Sequence, residues 1–152
     1  MKKISLLIVV LMFSIVANAR IETPVRWSQC SKRISDTETM LLLRARIQPG
    51  WHIYAQAFKP GGPINTSFKF TSSKTYTLVG KPIEPTPKTK YEEGFKMNVG
   101  YFEKEVVFQQ KIKIKSTSST EVKGVLEYAV CNKVGCLPPE ELAFNIPINK
   151  LP

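Results

Sequence analysis

Histidine is nearly absent from this chain. His52 is the only one in 152 residues, and that scarcity removes whole classes of chemistry. A Ser-His-Asp set needs a histidine with partners at hand, and none can be assembled around His52. No glycine-rich phosphate loop is present, so nothing in the sequence cradles a nucleotide. After the first 20 residues no apolar run approaches the roughly 20 residues that a membrane-spanning helix requires. No stretch carries apolar residues at helical spacing. Internal repeats, low-complexity tracts and long linkers are all missing, so one domain is expected. Acidic residues are the minority, 12 against 22 Lys and Arg. The lysines are scattered, without the interleaved aromatics of a strand-binding groove, and nucleic-acid binding is not expected. The positive balance suits an acidic partner or an anionic membrane surface, or is simply a solvated exterior.

What is present begins at the N-terminus. Lys2 and Lys3 precede an apolar run from Ile4 to Val16, followed by Ala17-Asn18-Ala19. A basic start, a short apolar core and an A-x-A site read as a secretory signal peptide spanning residues 1–19, cleaved after Ala19. No cysteine follows the cleavage site, so a lipid anchor is not expected. The product is then an exported domain of residues 20–152, in a compartment where disulfides persist.

Period-two alternation runs through most of that domain. Val25–Gln29, Thr39–Ile47, Trp51–Tyr54, Ser67–Phe70, Tyr76–Val79, Val106–Lys115, Val122–Val130 and the segment around Phe144, Ile146 and Ile148 read as strands. In the third of these, Trp51 and Ile53 share one face while His52 and Tyr54 share the other. Pro82, Pro85 and Pro87 suggest a stiff connection, and Tyr91–Phe95 a loop with an exposed aromatic. Ser116–Thr120 reads as a polar turn. Eight or nine short strands with frequent turns predict an all-β sandwich.

Three cysteines remain. Cys131 and Cys136 flank a turn containing Asn132 and Gly135, and Pro138-Pro139 stiffens the exit. If the flanks pair, the two cysteines face each other across a hairpin mouth, about 4.5–5.5 Å apart at Cα. A bridge there closes a loop worth only about 2 kcal/mol, against about 4.7 kcal/mol for a loop of 100 residues. So small a gain tilts the reading from stability toward redox use. Pairing by proximity leaves Cys30 as a free, partly buried structural thiol. The rival is a Cys30–Cys131 bridge of the antibody type with Trp51 between, but Tyr128 stands three residues before Cys131, where a tyrosine corner needs two. A Cys₃His zinc site with His52 would draw ligands from remote strands, and no metal or other cofactor is expected.

These residues resemble a known family, the N-terminal periplasmic domain of the thiol:disulfide interchange protein DsbD. The resemblance rests on Gly50-Trp51-His52-Ile53-Tyr54, Gly62-Pro63 with Thr66, Phe95, the strand from Glu105 to Lys111, and Cys131 to Pro139. It implies an immunoglobulin-like β-sandwich in the periplasm that acts as a thiol:disulfide oxidoreductase. It implies that Cys136 forms the mixed disulfide with a partner and that Cys131 resolves it. Phe95 matches a cap-loop phenylalanine that covers the cysteines, and His52 and Tyr54 match tyrosines beside the site. Glu93 matches an acidic cap-loop residue, whereas Gly94 stands where the family carries a second one. Lys133, within the cysteine turn, can favour a thiolate by charge. The implied partners are thioredoxin-like periplasmic proteins. Because the chain ends at Pro152, the electron donor is expected to be a separate membrane-embedded thiol protein, and the domain to act as a monomer. The alternative is an exported binding or scaffold module with a purely structural hairpin disulfide.

Overall fold

Alternation of buried and exposed residues dictates the architecture. The computed structural model describes residues 23–115 and 119–148, so the leader at 1–19 and part of the turn at 116–120 lie outside the described residues. Eleven strands form among them: β1 (Val25–Arg33), β2 (Glu38–Ile47), β3 (His52–Tyr54), β4 (Ser67–Phe70), β5 (Tyr76–Ile83), β6 (Lys88–Glu92), β7 (Met97–Phe102), β8 (Glu105–Ile114), β9 (Thr120–Tyr128), β10 (Val130–Cys131) and β11 (Glu140–Ile148). They assemble, by antiparallel pairing, into sheets ordered β1-β2-β8-β5, β10-β3-β7-β6 and β11-β9-β4. The first sheet packs its inner face against the other two, which gives the expected immunoglobulin-like sandwich.

Leu41, Leu43, Ala45 and Ile47 of β2 meet Val106, Phe108 and Ile112 of β8 on that inner face. The facing layer supplies Ile53, Phe102, Val122, Leu126, Tyr128, Phe144, Ile146 and Ile148. Phe108 is fully buried and bridges the layers, its ring 5.9 Å from Trp27, 5.1 Å from Phe68 and 5.8 Å from Phe102. Burying an aromatic side chain of that size removes well over 100 Å² of apolar surface from water. Pro49 and Gly50 turn the chain from β2 into β3. Gly50 has φ of 85°, and Trp51 N–H donates to the Gln48 carbonyl at 3.1 Å. Proline followed by a left-handed glycine is the residue pair that a type II turn demands.

Several boundaries differ from the sequence reading. Tyr91 and Glu92 close strand β6 instead of lying in a loop, and β6 pairs with β7 to make a hairpin the sequence reading missed. Its turn is short: Phe95 N–H donates to the Glu92 carbonyl at 3.1 Å, and Lys96 takes a left-handed φ of 51°. The first strand runs on to Arg33, and the strand beginning at Tyr76 runs on to Ile83 past a register shift that Gly80 (φ 71°) accommodates. The expected strand Val122–Val130 breaks at Ala129. That break matters most, because β9 pairs with β11 and β4, whereas β10 pairs with β3. The chain changes sheets one residue before it reaches the cysteine-bearing strand.

Candidate functional site

The cysteine hairpin is anchored at both ends. Glu140 opposes Tyr128 in the β9–β11 ladder, and the Tyr128 hydroxyl donates to Glu140 Oε2 at 2.8 Å. Burial, then that hydrogen bond and the Glu140 charge, push the Tyr128 phenol well above its usual range, so it stays a donor. Beyond the anchor, Cys131 pairs with His52 and Val130 with Ile53. The turn then reverses on Asn132: its N–H donates to the Gly135 carbonyl at 2.9 Å, and its Oδ1 accepts from the N–H groups of Val134 (2.8 Å) and Gly135 (3.0 Å). An asparagine that satisfies the turn it begins is an Asx turn, a local geometry set by residue type. Leu137 N–H closes the mouth on the Val130 carbonyl at 3.0 Å.

Across that mouth Cys131 and Cys136 oppose each other and are joined by a disulfide, with Cα atoms 4.0 Å apart. The separation is slightly under the spacing expected from strand pairing. The antibody-type bridge is thereby excluded. The two halves of the bond sit in different surroundings. Cys131 is 2% exposed, whereas Cys136 lies on the exposed turn with Lys133 and Val134. Val134 is an apolar side chain left 96% exposed beside the sulfurs.

Cys131 belongs to a second, smaller cluster. In the β10-β3-β7-β6 sheet, Val130, Ile53 and Phe102 point into the main core. Their neighbours one step along point to the opposite face, where Cys131, Ala129, Tyr54 and Val99 are buried together, packed on by Phe58, Met97 and Tyr101. His52 and Tyr54 lie on that face as expected. Their rings meet edge to face at 5.3 Å, and His52 meets Tyr101 at 5.6 Å.

A charged network lines the same face. Lys90 Nζ lies 2.5 Å from Glu92 Oε1 and 2.8 Å from His52 Nε2, and it sits 5.2 Å from the Tyr101 ring centroid. The Tyr54 hydroxyl donates to Glu92 Oε1 at 2.9 Å. Burial, with the Glu92 hydrogen bond and charge, raises the Tyr54 phenol far above its normal range. Burial alone would raise the Glu92 carboxyl, but hydrogen bonds from Lys90 and Tyr54, with the Lys90 and His52 charges, outweigh it and hold the carboxyl low. Burial, followed by the Lys90 charge, lowers the His52 imidazole against the opposing pull of Glu92 and Glu103.

Cys131, His52 and Tyr54 are therefore brought together, with Cys136 and Lys133 on the adjoining turn. Glu93 and Phe95 stand in the exposed β6–β7 turn, Phe95 at 40% exposure. The expected loop at Tyr91–Phe95 fails for Glu92, whose carboxylate is held by three side chains. Cys30 is a second correction: it is free, but exposed on edge strand β1 instead of partly buried, and so open to reagents in the folded state. Lys90, Glu92, Tyr101, Met97 and Phe58 were missed. The first four follow alternation, Lys88-Lys90-Glu92 and Met97-Val99-Tyr101, on either side of the Gly94 turn. Phe58 comes from a loop without a pattern.

The family model for the N-terminal domain of the thiol:disulfide interchange protein DsbD matches residues 18–147. Among solved structures, the Neisseria meningitidis DsbD N-terminal domain in the reduced form is 22% identical, covering 81% of this chain and 86% of its own, with a TM-score of 0.53. The N-terminal periplasmic domain of ScsB from Proteus mirabilis is 25% identical over 83% of this chain, with a TM-score of 0.57, and the match spans 46% of that chain. The complex between the DsbD N-terminal and PilB N-terminal domains of Neisseria meningitidis gives 18% identity, 83% and 87% coverage and a TM-score of 0.55. No curated protein gives a match. A model match across nearly the whole chain, around a sandwich carrying a cysteine pair, is decisive: the chain belongs to the family of DsbD N-terminal domains.

Proposed function

We propose that residues 20–152, freed of the leader at 1–19, carry out periplasmic thiol–disulfide exchange through Cys131 and Cys136. The observation that carries this reading is the asymmetry of the bond, one cysteine 2% exposed and the other on an open turn. Exchange needs one accessible sulfur to meet a partner and a second thiol beside it to release that partner. Shielding the second leaves the exposed one as the point of entry. In the reduced domain the Cys136 thiolate attacks a partner disulfide, forming a mixed disulfide and expelling one partner thiolate. Cys131 then attacks Cys136 Sγ, which re-forms the internal bond and expels the second. The partner gains two electrons and the domain loses them. Lys133 favours the thiolate, and Val134 gives an apolar contact beside it.

The partners we infer are thioredoxin-like proteins on one side and a membrane-embedded thiol donor on the other. Support comes from the related Neisseria domain, described in complex with the PilB N-terminal domain. The direct test is a trap. A Cys131→Ser variant, reduced and mixed with an oxidised thioredoxin-fold protein, is expected to accumulate a covalent adduct through Cys136. Peptide mapping that found the adduct on Cys30, or no adduct at all, would reject the assignment.

Phe95 is proposed as the cover over the sulfurs, swinging aside for a fitting partner. Its 40% exposure at a hairpin tip gives it no core role. Phe95→Ala is expected to speed alkylation of the reduced pair several-fold while the melting temperature barely moves. Unchanged alkylation would remove Phe95 from the site.

A further inference from the structure

The buried sulfur has a proton to lose and little water to receive it. We propose that His52 accepts the proton of Cys131 when that thiol attacks the mixed disulfide, with Lys90 and Glu92 setting when it can do so; this rests on the exchange reading above. Register carries the inference first. Cys131 and His52 are direct cross-strand partners, and such partners share a face with Cβ atoms about 4.5–5.5 Å apart. An imidazole at that distance reaches a neighbouring sulfur by side-chain rotation.

The state of the ring is the second element. An ammonium only donates hydrogen bonds, so Lys90 Nζ at 2.8 Å requires a lone pair on His52 Nε2. The ring is then neutral, with its proton on Nδ1. Glu92 Oε1 lies 3.9 Å from the same Nε2. One nitrogen thus stands between a cation that opposes its protonation and a carboxylate that stabilises it. Lys90 already touches Glu92, so a small shift onto that carboxylate frees Nε2. Facing His52 are Lys90 and Glu92 from β6, Glu103 after β7, the rings of Tyr54 and Tyr101, and Cys131 itself. The balance of burial and these charges keeps the imidazole below its ordinary range, so it is a free base at neutral pH. At 7% exposure, solvent does not easily take its place.

The step balances. Cys131 S–H passes its proton to Nε2, and the thiolate forms a bond to Cys136 Sγ. The Cys136–partner bond breaks, and the partner sulfur leaves with the electron pair. The imidazolium later gives its proton to solvent.

A chromogenic aromatic disulfide, dithiobis-nitrobenzoate, isolates this step in a Cys30→Ser background. The first release of nitrothiolate reports attack by Cys136, and the second reports closure by Cys131. General-base assistance contributes about 10²–10⁴-fold. His52→Gln is therefore expected to slow the second phase at least about tenfold at neutral pH and leave the first unchanged. The second phase in the parent should rise with pH through a midpoint below about 6.5. Lys90→Met should move upward both that midpoint and the ring titration of His52 followed by NMR, because the opposing cation is gone. A second phase within about twofold of the parent in His52→Gln overturns the proposal, as does an unmoved midpoint in Lys90→Met, which decides the matter if His52→Gln does not fold. A parent showing no second release overturns the exchange reading itself, and the role of His52 with it.

Discussion

Replacing Cys136 with serine is expected to abolish exchange, lowering its rate by at least about a thousandfold, as loss of a nucleophile does. Cys131 cannot substitute, since it is 2% exposed and roofed by the Tyr54–Val99–Ala129 cluster. Cys30 cannot substitute either. It is exposed, but it lies on β1 in the other layer and has no second thiol to release a partner. The fold should survive, because the bridge closes a short loop worth only about 2 kcal/mol. Other bonds hold the hairpin as well: Tyr128 to Glu140 at its base, Leu137 N–H to Val130 at its mouth, and Asn132 within its turn. Stopped-flow exchange and circular dichroism on one sample measure both claims. Substantial residual exchange in Cys136→Ser would place the reactive sulfur elsewhere.

Phe108→Ala is expected to have the largest effect on stability. The side chain is fully buried and touches three aromatic rings that come from β1, β4 and β7. Truncation loses transfer free energy and leaves a cavity that rigid neighbouring rings fill poorly, a loss of about 3–5 kcal/mol. Single domains are stable by only about 5–15 kcal/mol. The melting temperature should fall by roughly 6–20 °C for a chain of this size. Because the cysteine cluster lies on the opposite face of its sheet from this core, exchange by the protein that remains folded should change little. A loss below about 1 kcal/mol would mean that Phe108 does not join the layers as described.

The sandwich was legible wherever alternation was long. Leu41-Leu43-Ala45-Ile47 and Phe144-Ile146-Ile148 announce their inner faces without help from context, and the structure buries them. The cysteine turn was equally plain, since Asn132 and Gly135 carry their turn chemistry locally. The β6–β7 hairpin was not. Lys90 and Glu92 are polar residues that a sequence reading sends to solvent, as it rightly does for Lys88. What draws them inward is the sheet's second buried face, and that face exists only once Tyr54, Tyr101 and Cys131 are assembled. The exposure of Cys30 was hidden for a related reason. It follows Trp27 on a strand whose outer half has no layer to cover it, and edge position is a property of topology.

The reduction potential of the Cys131–Cys136 pair, measured against a graded glutathione buffer, tests the central claim most directly. An exchange pair poised for redox traffic should fall within roughly −120 to −270 mV, the span of redox catalysts, and reach equilibrium with the buffer quickly through the open Cys136. A value below about −300 mV, in the range of structural disulfides, would contradict exchange and leave the domain an exported binding module.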